Sequence, residues 1–450
     1  MKNFHANIIR IGLLLLAVTY IMPGAAENIV FNTTRTQATY QGLEYTRTSK
    51  DQTWVLSGKL SLNIISPATL DNVKYAYWDN MPVMSMKDGL FERCPYLKTI
   101  AVPRYVTVIG KHTFKECAAL TSVTLPDSIF TVGEMAFAYS PQLSSPFVFP
   151  YLKELGNNAF RACSSLESVE FSNNLTQIGI GAFLGCTSLT SVVVGSGLKT
   201  IPEYTFQGCA ALNNFSIPNS VTAIRDYAFA GSGLERIVLP LNLSSLKENA
   251  FQNCTNLASA VFLNKKVTII IRDYVFDGCT KLTELILPPT LAGIKNCSFR
   301  NCSSLPQLEI PDKVLAIGDS AFEGCSKLAK VSIPQSVTAI GECAFKGCSE
   351  LDSVYSSIEV PFKLEKDVFA GISPACVLTV PYGKRQAYIN AGWTEAVFKG
   401  GVREMPAPAG ISPITAGKAS GVYYDLQGKR VARPRPGAIY IKDGRKVRMR

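Results

Sequence analysis

The residues with the clearest capacity for chemistry are cysteines. The 450-residue chain has thirteen, and Cys94, Cys117, Cys163, Cys186, Cys209, Cys254, Cys279, Cys302, Cys325 and Cys348 each stand three residues after a phenylalanine. Regularly spaced thiols suggest either a disulfide framework or a metal centre. Zinc is not supported: beyond residue 26 the chain has a single histidine, His112, and no CxxC pair. A disulfide framework fits little better. Ser140 and Ser232 fill the same position in two units, so the site asks for a small side chain rather than for sulfur. Members one unit apart would also sit further apart than the ~3.8 Å Cβ separation that a disulfide prefers. The expectation is a column of buried thiols packing as small apolar groups. Cys297 and Cys343 stand two residues before a phenylalanine, as do Tyr204, Tyr227 and Tyr274, in a column expected to face outward. With no Gly-rich phosphate loop and no spaced metal ligands, the chain reads as non-enzymatic: no catalytic residues, no metal and no cofactor.

What positions these columns is a repeat. Phenylalanines stand at 91, 114, 137, 160, 183, 206, 229, 251, 276, 299, 322, 345 and 369. Their spacing is 23 residues apart from one step of 22, one of 25 and a last one of 24. From Phe322 the unit runs Cys325, Leu328, Val331, Ile333, Pro334, Val337, Ile340, Gly341 and the next Phe. Val331 and Ile333 alternate with Lys330 and Ser332, the pattern of a short half-buried strand. Pro334 ends that strand, because it has no N–H for the ladder, and the ending returns as VTLP (123–126), LILP (285–288) and LEIP (308–311). Glycines at 110, 133, 156, 179, 318 and 341 are read as turn residues with positive φ. One unit cannot bury its own apolar edge, whereas stacked units can. The fold class is therefore a mainly β solenoid of about thirteen coils of 23 residues, a leucine-rich repeat by its period. At ~4.8 Å per coil it would extend roughly 60 Å. The unit at Phe251, lengthened by NKKVTIIIR (264–272), should bulge.

The ends differ in composition. Lys2 and Arg10 precede an apolar run from Ile11 to Met22, followed by small residues. Residues 1–26 thus read as an export signal, and no later segment is apolar enough to span a bilayer. Residues 27–80 lack the phenylalanine repeat and read as an N-terminal cap. Residues 81–380 form the solenoid and 381–405 a capping strand and helix, with the helix between Gly383 and Trp393. Residues 406–420 are a Pro/Ala/Gly/Ser linker, and 421–450 a basic β segment of two hairpins. The net charge of +11 sits mostly at the ends: Lys2 and Arg10 carry +2, and residues 411–450 carry +8 from ten Lys/Arg and two Asp. The nearly neutral body offers no electrostatic footprint for nucleic acid.

The unit AF-x-GC-x-x-L-x-x-V-x-I-P-x-x-V-x-x-I-G resembles the BspA-like class of leucine-rich repeats, found in surface proteins of oral and gut Bacteroidetes, treponemes and trichomonads. The resemblance covers about residues 80–380. It implies attachment to host extracellular-matrix proteins such as fibronectin and fibrinogen, or to bacterial surface proteins. The tail resembles a shortened type IX sorting domain, through Tyr424, Asp425, Gly428, Lys429, Val431, Gly437, Tyr440 and Ile441.

On each strand the outward positions are eight and ten residues after the phenylalanine. In the first half they are bland: Thr99, Ala101, Ser122, Thr124, Ser168, Glu170, Ser191, Val193, Asn214 and Ser216. Units 7 to 9 differ. There Val238, Val261 and Ile286 would make an exposed apolar line beside Arg236, Ser259 and Glu284, a candidate ligand-binding face. The sequence thus favours an exported cell-surface or secreted binding protein, an adhesin or interaction scaffold. The alternative is a carbohydrate-binding or nutrient-capture protein, for which Tyr204, Tyr227 and Tyr274 are the only aromatic candidates.

Overall fold

Thirteen phenylalanine rings form one continuous internal stack in the computed structural model. It describes residues 85–102 and 104–406, together with the backbone of short strands outside that range and Val431. From Phe91 to Phe369, each ring lies 4.9–5.5 Å from the next, with interplanar angles of 2–20°. Every one of these rings is buried. Burial contributes about 1.5–3 kcal/mol per ring, and ring–ring contact about 0.5–1.5 kcal/mol more. The coils are numbered from Phe91 (coil 1) to Phe369 (coil 13).

Each coil has two strand positions. The first follows the phenylalanine, as in Lys330–Ile333, where Val331 and Ile333 point inward and Lys330 outward. It pairs in parallel, one coil on, with Ser353–Ser356. The second is a two-residue strand before the next phenylalanine, as in Ala316–Ile317 against Ala339–Ile340. The first ladder is not continuous: Glu284–Ile286 closes a three-stranded sheet, and Gln307–Glu309 opens a new one of five. Breaks also fall after Ser122–Thr124 and after Ser191–Val193; at the coil 10 break, Pro306 occupies the position before the strand. In coil 9 the equivalent Thr283 donates its N–H to Ala258 O at 3.0 Å, and proline has no N–H to give.

The turn around each phenylalanine is built from two type II turns. In coil 11 the N–H groups of Ala321 and Cys325 close onto the carbonyls of Gly318 and Phe322. Ser320 (φ 52°) and Gly324 (φ 74°) occupy the positions that require positive φ. Across all thirteen coils it is these positions, two before and two after the phenylalanine, that are left-handed. This corrects the expectation for Gly110, Gly133, Gly156, Gly179, Gly318 and Gly341, none of which has positive φ. Their reason is close approach instead: a Cβ on Gly156 would lie 2.4 Å from the Gly133 carbonyl carbon of the coil before.

The thiol column is buried, and Cys163 to Cys348 within it form no disulfide. The reading of these thiols as plain apolar fillers needs correcting, because they donate hydrogen bonds. Cys117, Cys163, Cys186, Cys209, Cys254, Cys279, Cys302, Cys325 and Cys348 each place Sγ 3.0–3.3 Å from the carbonyl oxygen of the preceding coil's phenylalanine. Ser140 does the same to Phe114 O at 2.8 Å.

The lengthened coil 8 bulges as expected. Asn264, buried, accepts from the N–H groups of Lys266 and Val267 and donates to Leu243 O and Val267 O. The register between Ile269–Ile271 and Leu291–Ile294 then slips. At the C-terminal end, Val377–Val380 leads to a helix at Arg385–Asn390, and Val402–Glu404 pairs back in parallel as a fourteenth turn. Trp393 and Phe398 close over Phe369, with ring centroids 5.9 and 5.0 Å from it.

The expected export signal, N-terminal cap and linker lie outside the described residues, save for the backbone of short strands of the cap, of Val18–Tyr20 within the expected export signal, and Pro406. In 421–450 the backbone forms two antiparallel hairpins, Tyr423–Tyr424 with Arg430–Val431 and Ile439–Lys442 with Arg445–Arg448. These strands carry Tyr424, Val431, Tyr440 and Ile441; Asp425, Gly428, Lys429 and Gly437 lie outside the described residues.

Candidate binding surface

The parallel register of coils 7 to 9 brings the sequence-selected residues into two rows. Arg236, Ser259 and Glu284 are aligned across three strands, and beside them Val238, Val261 and Ile286. Val238 and Ile286 are 41% and 48% exposed, while Val261 is half-buried. The polar row is a closed network. Arg236 reaches across two coils to the Glu284 carboxylate at 3.1 Å, Ser259 Oγ donates to the same carboxylate, and Arg236 Nε donates to Ser259 Oγ at 3.4 Å. The hydroxyl and the guanidinium hold the Glu284 carboxyl below its usual range. Ser259, expected to face solvent, is instead buried beneath its two charged neighbours.

Sequence reasoning missed what lies next to these rows. Beyond Ile286 the broken ladder leaves a groove of about 490 Å³. Leu285 and Leu287 are half-exposed there, and Pro289, Ile310 and Pro311 complete its apolar lining. Glu309 and Asp312 are its charged lining residues. Pro306, which has no N–H to give at the position before the coil 10 strand, is the one local sequence feature at this break. The apolar row and the groove make one open apolar surface on the strand face.

The tyrosine column is less open than expected. Tyr204 and Tyr227 stack face to face at 5.3 Å, and Arg300 lies over the Tyr274 ring at 5.4 Å. Cys297 is buried beside Tyr274, to which it is hydrogen-bonded, and Cys343 is half-buried. Arg300 is held by both carboxylate oxygens of the buried Asp277, at 2.9 and 3.0 Å.

Among the described residues, no group of His, Cys, Asp and Glu is arranged to hold a metal ion, and no helix is long and apolar enough to cross a membrane. The arrangement of stacked coils, paired strand rows and an open apolar face is that of a leucine-rich repeat scaffold. Six copies of the BspA type leucine-rich repeat match across residues 84–210, 178–270 and 269–374, and the chain belongs to that family. It is similar to the solved structure of a leucine-rich repeat protein from Bacteroides ovatus. The identity is 25%, over 70% of this chain and 94% of that one, with a TM-score of 0.48. A leucine-rich cell surface protein from Faecalibacterium prausnitzii matches at 22% identity over 71% of this chain and 94% of its own, with a TM-score of 0.40. The pneumococcal vaccine antigen PcpA matches at 16% identity over 83% and 99%, with a TM-score of 0.45. No curated protein matches the chain in sequence.

Proposed function

We propose that this chain is an exported, non-enzymatic adhesin or interaction scaffold. Its strand face at coils 7 to 10 docks a protein of the host matrix or of a bacterial surface. Residues 1–26 would direct export, and the basic segment 421–450 would act in sorting to the surface. The observation that carries the reading is the apolar strip Val238–Val261–Ile286 and its groove. They lie open as adjacent residues, whereas in the first half of the strand face the exposed Val148 and Val193 are separated by Glu170 on the strand between them. A contiguous apolar exposure of this kind marks contact sites on soluble proteins, and a rigid repetitive face is what solenoids use for binding.

The test is a double substitution, Val238→Lys with Ile286→Lys. Both side chains are solvent-facing, so the fold should be retained. Binding of the purified protein to immobilised fibronectin, fibrinogen and bacterial cells should drop at least tenfold in the variant. Equal binding by both proteins to every partner the parent binds would remove the site. No binding by the parent to any surface protein would remove the function.

A further inference from the structure

The groove at the broken ladder differs from other grooves of the molecule in carrying charge of one sign. Beside the coil 13 turn, Lys363 and Lys399 face Glu365 and Asp367 in one groove lining. Over Gly133 and Gly156, Lys111 accompanies Glu134 and Glu154. The groove between coils 9 and 10 is lined by Glu309 and Asp312, with no Lys, Arg or His among its lining residues. Both acids are exposed, and neither carboxylate forms a hydrogen bond or an ion pair among the described residues. The Glu284 carboxylate, by contrast, is already held by Arg236 and Ser259. The rest of the lining is mostly hydrocarbon. Leu285 holds the inward position that Leu308 and Val331 occupy, buried, in the next two coils. At the break it is half-exposed, with Leu287 half-exposed and Pro289 exposed beside it.

We infer that this groove receives an arginine side chain of the docking protein, with its methylene stem on the leucine and proline wall and its guanidinium at Glu309 and Asp312. The inference rests on the reading of this face as a contact surface and names what the partner brings to it. Charge complementarity decides the occupant. An apolar side chain would cover Leu285 and Leu287 but would strip water from two carboxylates and give them no partner. An acidic one would add repulsion. A long cation answers both parts, because its stem covers apolar surface while its head stays at the charged rim. Arginine suits the site better than lysine: its guanidinium is more weakly hydrated and offers a rigid fork of donors to carboxylates. The attraction is local, since the chain as a whole carries +11 and would repel a cationic partner.

The probes are peptides of the form acetyl-Val-Leu-X-Leu-Val-amide, with arginine, norleucine or glutamate at X. Each is titrated into the isotopically labelled full chain and read from backbone amide shifts. The arginine peptide should move the amides of Leu285, Leu287, Glu309 and Asp312 and leave those of coils 1 to 5 in place. It should bind about tenfold tighter than the norleucine peptide, and the glutamate peptide should bind more weakly still. Glu309→Gln with Asp312→Asn should bring the arginine peptide down to the norleucine level and leave the norleucine affinity as it was. Equal affinity for the arginine and norleucine peptides would overturn the inference. So would an arginine preference that survives the double variant, or no shift at millimolar arginine peptide. Spermidine moving the same amides with equal affinity would also overturn it and give the groove to a small polyamine. The adhesin reading fails separately. A parent that binds the arginine peptide but no surface protein loses that function and keeps this site. Surface-protein binding that the double variant leaves intact keeps that function and removes this site.

Discussion

Cys325 and Phe299 are joined across one coil: Cys325 Sγ donates to the Phe299 carbonyl oxygen at 3.2 Å, while the Cys302 N–H takes its other lone pair at 3.1 Å. The carbonyl is fully satisfied inside the stack, where water cannot reach it, and the thiol is the donor that completes it. Ser140 shows that a hydroxyl serves the same purpose. Cys325→Ser should therefore stay closer to the parent than Cys325→Ala, which loses the donor at a cost of about 1 kcal/mol and leaves a small void. Urea unfolding midpoints of the two variants would decide the order. Equal or reversed midpoints would mean that the column is selected for bulk alone.

Burial also governs the acidity of this column. Loss of solvation pushes the thiols of Cys163, Cys209 and Cys348 up to about 12 and that of Cys254 to about 11. In the unfolded chain a thiol titrates near 8.5. Between those values the folded protein holds protons that the unfolded chain releases, so stability falls as pH rises. It is fully present below about pH 8.5 and is lost progressively toward pH 11–12. Denaturant midpoints should be flat to pH 8 and decline above pH 9. Alkylation by iodoacetamide at pH 8 should leave these thiols unmodified until the protein is unfolded. Rapid modification of the native protein would contradict the burial.

Two glycines separate the two reasons for glycine in the repeat. Gly347 has φ 74°, and a Cβ there would meet only ordinary contacts, the nearest atom being at 3.7 Å. Gly347→Ala should cost about 1–2 kcal/mol, the strain of a left-handed residue. Gly156 has ordinary φ, but its Cβ would meet the coil before at 2.4 Å. Gly156→Ala must push two coils apart and should cost more, up to about 3 kcal/mol. Gly347→Asn should recover much of the first loss, since Asn253 and Asn301 occupy the same position, and Gly156→Asn should recover nothing. Thermal melts of the four variants would measure this.

Asn264 carries the two-residue insertion of coil 8. Its side chain serves two N–H groups and two carbonyls from inside the protein. Asn264→Ala should destabilise by about 2–3 kcal/mol, since each buried group left without a partner costs about 1–3 kcal/mol. Hydrogen exchange should rise first in Ile269–Ile271 and leave coil 2 unaffected. A uniform rise across all coils would mean that the array unfolds as one unit.

The repeat itself was legible because its physics is local and periodic. A phenylalanine every 23 residues, an alternating strand and a proline stop define a coil, and stacking coils is the one way to bury each apolar edge. The apolar row at Val238, Val261 and Ile286 was equally legible, since parallel in-register pairing turns equal spacing into alignment. What one chain of letters did not disclose depends on distances between coils. The burial of Ser259 comes from Arg236 and Glu284 meeting above it, 48 residues apart in sequence. The donor role of the thiols depends on a carbonyl 26 residues back. The close approach at Gly156 depends on how tightly Gly133 is stacked against it. The groove at coil 10 exists only where the ladder stops. Periodicity fixes what every coil shares, and interruptions of it become surfaces only once the coils are set a few ångströms apart.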